Sequence, residues 1–267
     1  MYARQAVKAA LLYNFTTGKI LYQYNPNLPL APASLTKIMT MFLVMDAIKA
    51  KKLSYGQKVP VSREAATIGG SSLKIAVGER VPVVRLLTGA AVASGNDAAR
   101  ALAEATGKGE AAFVKKMNAK AAALGMKKTR FKNSTGLPAA GQKTTVYDLL
   151  LLCRAYLRTH PEALRFHRTL YIMHKGTVIR NTNPLLGVMD GADGLKTGWT
   201  ADAGYNLIAT AKRGNTRLIA IVMGGKTKAD RAATAKKLLE AGFKYPTSPA
   251  KAKAAINGEA VGTAGRK

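Results

Sequence analysis

Apolar runs separated by turn residues stand near both ends of the chain. Residues 9–15 and 19–24 are largely apolar and flank Thr17-Gly18, a pair suited to a tight turn. Residues 204–211 and 217–223 repeat this arrangement across a polar segment that contains glycine. The two patterns predict a β-hairpin at the N-terminus and an antiparallel hairpin late in the chain.

Between the hairpins, apolar side chains recur at helical spacing. Pro32 precedes a run of apolar residues three or four apart, which predicts a largely buried helix over about 33–49. The same periodicity predicts helices over 83–93, 146–158 and 230–241, and two helices within 96–125 that meet at Gly107-Lys108-Gly109. Residues 54–80 are expected to form short strands and loops, and residues 169–179 are expected to be strand.

The order of these elements predicts the fold class. A hairpin, a block of helices, a second hairpin and a closing helix are typical of an α+β domain in which helices cover an antiparallel sheet. We predict one domain over residues 1–246 with a mainly helical subdomain at roughly 54–165. After residue 246 the chain is rich in Ala, Lys and Gly with little periodicity, so 247–267 is predicted to be a disordered tail or linker.

The charge balance restricts the surroundings of the protein. The 267 residues include 42 Lys and Arg against 14 Asp and Glu, a formal net charge of +28, which favours nucleic acid, anionic lipid or acidic cell-wall polymer nearby. A non-catalytic basic protein would explain this charge and would bind DNA in a salt-dependent way. Aromatic residues are only 6% of the chain and rarely stand among the lysines, so we expect no specific nucleic-acid partner.

Several classes of site are not indicated. The one cysteine, Cys153, stands in an apolar run, which predicts a buried and inert thiol. Neither an H-E-x-x-H motif, an acidic metal cluster nor a phosphate-binding glycine loop is found, so we expect no metal and no cofactor. No run approaches 18 apolar residues, and the first ten residues lack the pattern of a signal peptide, which is expected to be absent from this chain.

The first candidate for chemistry is the tetrad Ser34-Leu35-Thr36-Lys37. A hydroxyl and an amine three residues apart at a helix start lie on one face and within reach of each other. Such a pair supports acyl transfer if the amine is neutral, and burial, the helix dipole and a second cation would lower the pKa of Lys37. For the tetrad alone, a serine that caps a helix beside a solvated lysine is the favoured explanation.

Two further motifs make this interpretation more specific. Ser94-Gly95-Asn96 follows an apolar helical run, and Lys196-Thr197-Gly198 follows Asp193-Gly194-Leu195 and precedes a strand-like segment. S-x-x-K, S-D-N and K-T-G in this order are the signature of class A β-lactamases and penicillin-binding proteins. The second motif of this chain has glycine in place of the aspartate.

Longer strings narrow the resemblance further. They are residues 32–40, 94–99, 133–138, 193–198 and 204–207. From about residue 9 to residue 245 the chain resembles the low-molecular-mass penicillin-binding proteins that are serine-type D-alanyl-D-alanine carboxypeptidases. The resemblance implies a β-lactamase/transpeptidase-like fold, with a central antiparallel sheet of about five strands flanked by helices. Residues 1–246 would then form a DD-peptidase catalytic domain.

The resemblance also implies a function and a location. The expected reaction removes the terminal D-Ala from peptidoglycan stem peptides that end in D-Ala-D-Ala, and β-lactam antibiotics would acylate the same serine. The expected location is the periplasm or the cell-wall side of the cytoplasmic membrane, where the net charge could contact an anionic wall or membrane surface. Relatives often carry a further β-rich domain and a membrane-anchoring helix, for which this chain is expected to be too short.

The resemblance assigns the reacting groups. Ser34 would be the acylated nucleophile and Lys37 the base that takes its proton. Ser94 would relay a proton to the leaving D-Ala, and Asn96 would hold the substrate amide. The backbone N–H groups of Ser34 and Trp199 would form the oxyanion hole.

The substrate's carboxylate end is assigned in the same way. Lys196 would supply positive field, Thr197 a hydroxyl for the carboxylate, and Gly198 a bare backbone along which a peptide could lie as an added strand. Arg231 would bind the carboxylate, although a solvated arginine at a helix start is the alternative. The Trp199 side chain is expected either to shape the cleft or to pack.

Alternatives within the same chemistry stay open. A class A β-lactamase releases its acyl group with a Glu-activated water, and no recognisable counterpart stands between residues 136 and 183, so slow release is expected. A DD-endopeptidase that cuts cross-links would use the same residues in a wider cleft. The three histidines, His160, His167 and His174, accompany no triad motif and are expected to be packed or on the surface.

Overall fold

A computed structural model of the chain describes residues 6–107 and 109–259. The strands are β1 Ala9–Asn14, β2 Lys19–Tyr24, β3 Lys58–Pro60, β4 Arg80–Pro82, β5 Tyr171–His174, β6 Thr177–Arg180, β7 Ala192–Thr200, β8 Gly204–Arg213 and β9 Thr216–Gly225. The helices are α1 Lys37–Lys49, α2 Arg63–Ala66, α3 Val83–Val92, α4 Asn96–Ala105, α5 Gly109–Ala123, α6 Val146–Thr159, α7 Leu164–His167, α8 Lys228–Lys244 and α9 Pro249–Asn257. Short 3₁₀ helices, Ala33–Thr36 and Pro161–Ala163, precede α1 and α7.

Five strands form the central sheet in the order β2-β1-β9-β8-β7, and each neighbouring pair is antiparallel. The strands β3 and β4 form one separate two-stranded sheet, and β5 and β6 form another. The α+β fold with a sheet of about five antiparallel strands is therefore confirmed. Because β7 lies at the sheet edge, the strand that carries Lys196-Thr197-Gly198 has one side without a sheet partner.

Helices cover both faces of the central sheet, so its inner strands are buried on both sides. Leu11 and Tyr13 of β1 pack into a core with α1 and the other helices of the middle of the chain, whereas Ala10 and Leu12 pack against α8 and α9. Strands that are buried on both faces appear in sequence as continuous apolar runs. That is why β1 and β9 were recognisable from the sequence.

The two predicted hairpins and the predicted helices at 33–49, 83–93, 146–158 and 230–241 are confirmed, with a 3₁₀ turn at the start of the first helix. The junction predicted at Gly107-Lys108-Gly109 lies between α4 and α5, and its central residue is outside the described residues. The prediction of strand throughout 169–179 is wrong. Lys175 and Gly176 have φ of 47° and 75°, which reverse the chain and divide the segment into β5 and β6.

The prediction of a disordered tail over 247–267 is also wrong where the structure describes that segment. Ser248 caps α9 by accepting a hydrogen bond from the Lys251 N–H, and Gly258 ends the helix at φ 77°. Ala252 and Ile256, one turn apart, are buried beside α8. Two buried apolar residues among lysines and alanines gave too weak a periodicity to predict this helix. Residues 260–267 lie outside the described residues.

Candidate active site

The Ser34 hydroxyl and the Lys37 amine lie together at the start of α1. The 3₁₀ turn brings Lys37 back over Ser34, so that Nζ and Oγ are 2.8 Å apart. The turn also packs against β7, which places both groups at the sheet edge. The pairing that the tetrad predicts is therefore present in the fold.

Lys37 is completely buried and has two further partners. Its Nζ lies 2.7 Å from Asn96 Oδ1 and 2.7 Å from the carbonyl oxygen of Thr135. Burial, and after it the positive charge of Lys196, hold the pKa of Lys37 well below its ordinary value of 10.5, while Asp97 acts in the opposite direction. The fold thus favours a neutral amine.

These contacts determine where the lone pair of a neutral Lys37 points. The Asn96 and Thr135 oxygens can only accept hydrogen bonds, so they take the two N–H groups of the amine. The Asn96 amide is held in this orientation because its Nδ2 donates to the carbonyl oxygen of Gly69 at 2.9 Å. The remaining tetrahedral direction faces Ser34 Oγ. A neutral Lys37 is therefore arranged to accept the proton of the serine hydroxyl.

Ser94 and Asn96 stand where α3 gives way to α4. Ser94 adopts a left-handed backbone with φ 58° and is almost buried at the cleft wall. Neighbouring Asp97 is buried and accepts hydrogen bonds from the Ser72 hydroxyl and from the N–H groups of Leu73 and Ile75. These bonds hold the loop at residues 72–75 in place. Both polar atoms of the Asn96 amide are engaged within the protein, so its expected contact with substrate stays a prediction.

Strand β7 supplies a buried cation and a hydroxyl to the same place. Lys196 is buried with Nζ 3.0 Å from the carbonyl oxygen of Thr197, and burial, followed by the charge of Arg231, lowers its pKa to about 7. The Thr197 hydroxyl donates to Thr182 Oγ1 at 2.8 Å. At Gly198, a Cβ would lie 3.1 Å from both Pro32 O and Ser34 N. Glycine therefore allows β7 to approach the Ser34 segment closely.

A cleft of 490 Å³ opens over Ser34. Its lining consists of Ser34, Ser71, Ser94, Thr182, Thr197, Gly198, Trp199, Tyr205, Lys228 and Arg231. The Trp199 side chain is half exposed and inclined against Tyr205, with ring centroids 5.9 Å apart. Trp199 thus lies at the cleft wall and not in the core.

One end of the cleft is cationic. Arg231 is nearly buried, its guanidinium lies 5.8 Å from the centroid of the Tyr205 ring, and its Nη1 lies 3.4 Å from the carbonyl oxygen of Asn206. Its Nε is buried and has no hydrogen-bond partner within the described part of the chain. Lys228 lines the same end. The N–H donors of Arg231 and the positive charges of Lys196 and Lys228 make this end of the cleft suited to a carboxylate.

Three further residues support the site, and sequence reasoning assigned none of them a role. Thr135 gives a carbonyl oxygen to Lys37. Gly136 has φ 86°, and a Cβ there would collide with the carbonyl oxygen of Ala33. Asn206 donates from Nδ2 to the carbonyl oxygens of Ala31 and Pro32 at 3.1 and 3.2 Å, which ties β8 to the segment before Ser34. All three lie in the strings 133–138 and 204–207, which carry part of the family resemblance. That resemblance was the only sequence signal that could have identified them.

We expect Gly136→Ala to destabilise the protein much more than Gly141→Ala. Both glycines have positive φ, which costs an alanine about 1–2 kcal/mol. Only position 136 adds a collision with backbone, for which overpacking costs about 1–3 kcal/mol more, whereas a Cβ at 141 meets only Lys132 Cε at 3.6 Å. Urea unfolding of both variants measures the difference. Equal losses of unfolding free energy would contradict the close packing at Gly136.

The histidines take no part in this site. His167 is buried, with Nδ1 3.0 Å from Leu195 O and Nε2 3.1 Å from the Tyr156 hydroxyl, and burial lowers its pKa to about 4. His160 contacts Asp46 and Glu162 through its two ring nitrogens. Glu162 is the one glutamate between residues 136 and 183, and its side chain is half exposed and bonded to His160.

Neither a metal site nor a membrane-spanning helix is found among the described residues. In residues 6–107 and 109–259, no group of three or more His, Cys, Asp or Glu side chains is placed to hold a metal ion. Within the same ranges, none of the helices combines the length and the apolar character needed to cross a bilayer.

Comparisons with known proteins identify the family of this chain. The family model described as D-alanyl-D-alanine carboxypeptidase matches residues 3–227. The D-alanyl-D-alanine carboxypeptidase DacF of Bacillus subtilis is 44% identical over 248 residues, which cover 91% of this chain, and the chain spans 64% of the length of that relative.

Two solved structures give the same result. Penicillin-binding protein 6B from Escherichia coli superposes with a TM-score of 0.85 and 39% identity over 90% of this chain and 77% of that one. Penicillin-binding protein D2 from Listeria monocytogenes, in its ampicillin-bound form, gives a TM-score of 0.77 and 36% identity over 89% of this chain and 97% of that one.

Proposed function

Because this chain belongs to the D-alanyl-D-alanine carboxypeptidase family, we propose that it is a serine DD-carboxypeptidase that acts through an acyl-enzyme on Ser34. It removes the terminal D-Ala from peptidoglycan stem peptides that end in D-Ala-D-Ala. The observation that supports this most strongly is the buried Lys37 amine, 2.8 Å from Ser34 Oγ and held by two acceptors that leave its lone pair for the serine proton.

Acylation begins with the attack of Ser34 Oγ on the carbonyl carbon of the penultimate D-Ala. Lys37 takes the hydroxyl proton as the C–O bond forms, and the backbone N–H groups of Ser34 and Trp199 stabilise the oxyanion. The C–N bond then breaks, and the proton passes from Lys37 through the Ser94 hydroxyl to the nitrogen of the leaving D-Ala. Water hydrolyses the resulting ester, which returns free Ser34 and the shortened peptide.

The cationic end of the cleft binds the terminal carboxylate of the substrate. The Thr197 hydroxyl and the Arg231 guanidinium face this end, and Lys196 and Lys228 add positive field. The Arg231 guanidinium, which is part of the cleft lining, can donate to that carboxylate. The peptide backbone lies along the free edge of β7, where Gly198 has no side chain to obstruct it. This arrangement selects substrates with a free C-terminal carboxylate.

β-Lactam antibiotics acylate Ser34 by the same steps. The ring amide takes the place of the D-Ala-D-Ala peptide bond, and the solved structure of penicillin-binding protein D2 in its ampicillin-bound form is an example from the same fold. The leaving nitrogen stays attached to the acyl group. Because Glu162 is engaged with His160, the chain offers no glutamate between residues 136 and 183 to activate water, and the ester is released slowly.

Export to the periplasm or to the outer side of the cytoplasmic membrane follows from this substrate. Peptidoglycan stem peptides are reached there, and the net charge of +28 supports contact with anionic wall and membrane polymers without requiring a specific nucleic-acid partner.

Mass spectrometry of the protein after reaction with a penicillin tests the proposal, together with D-Ala release from a pentapeptide that ends in D-Ala-D-Ala. We expect one penicilloyl group on the peptide that contains Ser34, and release of free D-Ala. Cleavage of a cross-linked muropeptide dimer without D-Ala release from the pentapeptide would instead indicate an endopeptidase. An acyl group on a residue other than Ser34 contradicts the proposed nucleophile.

We expect acylation by penicillin to slow as the pH falls. Lys37 must be neutral to accept the Ser34 proton, and its pKa is lowered chiefly by burial, so the reactive form is present above that pKa and is lost as the pH drops below it. The second-order rate constant for acylation, measured from acidic to alkaline pH in one buffer series, reports this change. The carboxylate of penicillin stays ionised over the range. A rate constant that does not vary with pH would contradict the role of Lys37 as base.

A further inference from the structure

The small hairpin of β5 and β6 has apolar side chains on both of its faces. Ile172 and Ile179, paired across the strands, face inward and pack against the core. Met173 and Val178 form the next cross-strand pair and face outward, with 61% and 59% of their surface exposed, and Tyr171 beside them is 54% exposed. A hairpin with one solvated face normally alternates between apolar and polar residues. Here the outer face is apolar as well.

Two more exposed apolar residues, Leu170 and Val188, stand at the base of the hairpin. Gly187 lies against Leu170, which brings the exposed Val188 close to the start of the hairpin. The apolar ridge therefore consists of Leu170, Tyr171, Met173, Val178 and Val188. These are five of the nine large apolar side chains that are exposed among the described residues, although they come from a segment of only about 19 positions. Exposed apolar side chains concentrated in this way indicate an interaction surface.

The rim of the apolar ridge is basic. Arg168, Lys175 and Arg180 are exposed around it, and no Asp or Glu occurs from residue 163 to residue 189. Lys175 is paired with Glu79 at 3.0 Å, whereas Arg168 and Arg180 form no ion pair with any described residue. Arg180 lies directly opposite Tyr171 across the two strands, so positive charge borders the apolar side chains.

We propose that the apolar ridge docks onto the surface of a lipid bilayer rich in anionic lipid. Exposed apolar side chains with a basic rim are the combination that inserts into the interface while the cations contact acidic headgroups. A second copy of the chain is disfavoured as occupant because it would bring two basic rims together on proteins of net charge +28. A glycan is disfavoured because only Tyr171 of the five offers an aromatic face.

The position of the hairpin relates docking to the cleft. Thr182, two residues after Arg180, lines the cleft and accepts the Thr197 hydrogen bond. A docked hairpin thus brings this wall of the cleft close to the membrane surface. The inference does not depend on the proposed acylation, because binding to vesicles can be measured whether or not Ser34 reacts.

Cosedimentation of the whole chain with vesicles tests the inference. We expect binding to mixed phosphatidylglycerol and phosphatidylcholine vesicles, and little binding to phosphatidylcholine alone. The double substitution Met173→Ser and Val178→Ser should weaken binding by about tenfold or more, because both side chains lose their apolar contact with the interface. The matched control, Leu28→Ser with Tyr147→Ser, removes two exposed apolar side chains outside the ridge and should bind as the unchanged protein does.

Two double variants, each of which removes two positive charges, complete the test. Arg168→Gln with Arg180→Gln should weaken binding by roughly fivefold per cation. Lys127→Gln with Lys132→Gln lowers the net charge equally at exposed positions of another segment and should weaken it much less. Equal losses of vesicle binding for the two charge-removing variants would overturn the proposal, as would unchanged binding by the Met173/Val178 variant. So would a dimer in solution that the Met173/Val178 variant dissociates, since the ridge would then be a self-association surface. Thermal unfolding verifies that each variant is folded.

Discussion

Ser34→Ala should abolish both labelling by a fluorescent penicillin and release of D-Ala from a D-Ala-D-Ala pentapeptide. No other hydroxyl lies as close to the Lys37 amine among the contacts of the described residues, and alanine offers no atom to form the ester. Removal of a nucleophile of this kind lowers turnover by about 10⁴-fold or more. Gel fluorescence and a D-Ala assay, run on the same preparation, measure the two losses.

A control substitution at another serine distinguishes loss of the nucleophile from loss of folding. Ser62 caps α2 by accepting a hydrogen bond from the Ala65 N–H and does not line the cleft. Ser62→Ala should cost about 1 kcal/mol of stability and leave labelling intact. Labelling of the Ser34→Ala protein at the rate of the unchanged protein would remove Ser34 from the mechanism.

Lys37→Met should be the second most severe substitution. Methionine fills a similar volume but provides no lone pair for the Ser34 proton, and the loss of a general base lowers rates by about 10²–10⁴-fold. The acylation rate constant for penicillin, measured with a folded variant, gives the size of the effect. The dependence on pH that Lys37 confers should disappear together with the rate, because no other amine takes its position between Asn96 and Thr135.

The control for this substitution is another partly buried lysine. Lys120 pairs with Asp46 at 2.9 Å and lies over the Phe42 ring, outside the cleft lining. Lys120→Met should alter stability but not the acylation rate. If Lys37→Met retained both the rate and its pH profile, the lysine would be structural and a different base would have to activate Ser34.

The two buried lysines of the site, Lys37 and Lys196, have different surroundings. Burial of Lys37, and after it the positive charge of the nearby Lys196, disfavour the charged form of its amine. Lys196, whose pKa burial lowers to about 7, lies towards the end of the cleft where Arg231 and Lys228 are found. A substrate carboxylate at that end would favour the charged form of Lys196.

The sequence by itself predicted the elements that local patterns determine. Runs buried on both faces marked β1 and β9, and apolar spacing marked α1, α3, α6 and α8. The fold class followed from their order. Ser34 and Lys37 could be predicted as the reacting pair because they are three positions apart, a separation that a single helical turn converts into contact, and because two further motifs in the same order carry the family resemblance.

Local patterns failed where weak signals or backbone reversals decided the structure. The helix α9 has only two buried residues, Ala252 and Ile256, and the strand predicted at 169–179 turns back at Lys175-Gly176. The outward-facing side chains of β5 and β6 look like ordinary strand residues in the sequence. Only the fold reveals that nothing in the described part of the chain covers them.

The protonation state of the site was decided by tertiary structure alone. Lys37 meets Asn96 from 59 residues away and the Thr135 carbonyl from 98 residues away, and the bare backbone of Gly136 and the Asn206 amide hold the Ser34 segment in place. A pKa depends on burial and on the charges and dipoles around a group, which the spacing of residues along a chain does not specify. The sequence thus predicted Ser34 and Lys37 as the reacting pair, and the packing of distant segments around Lys37 determined the burial that lowers the pKa of its amine.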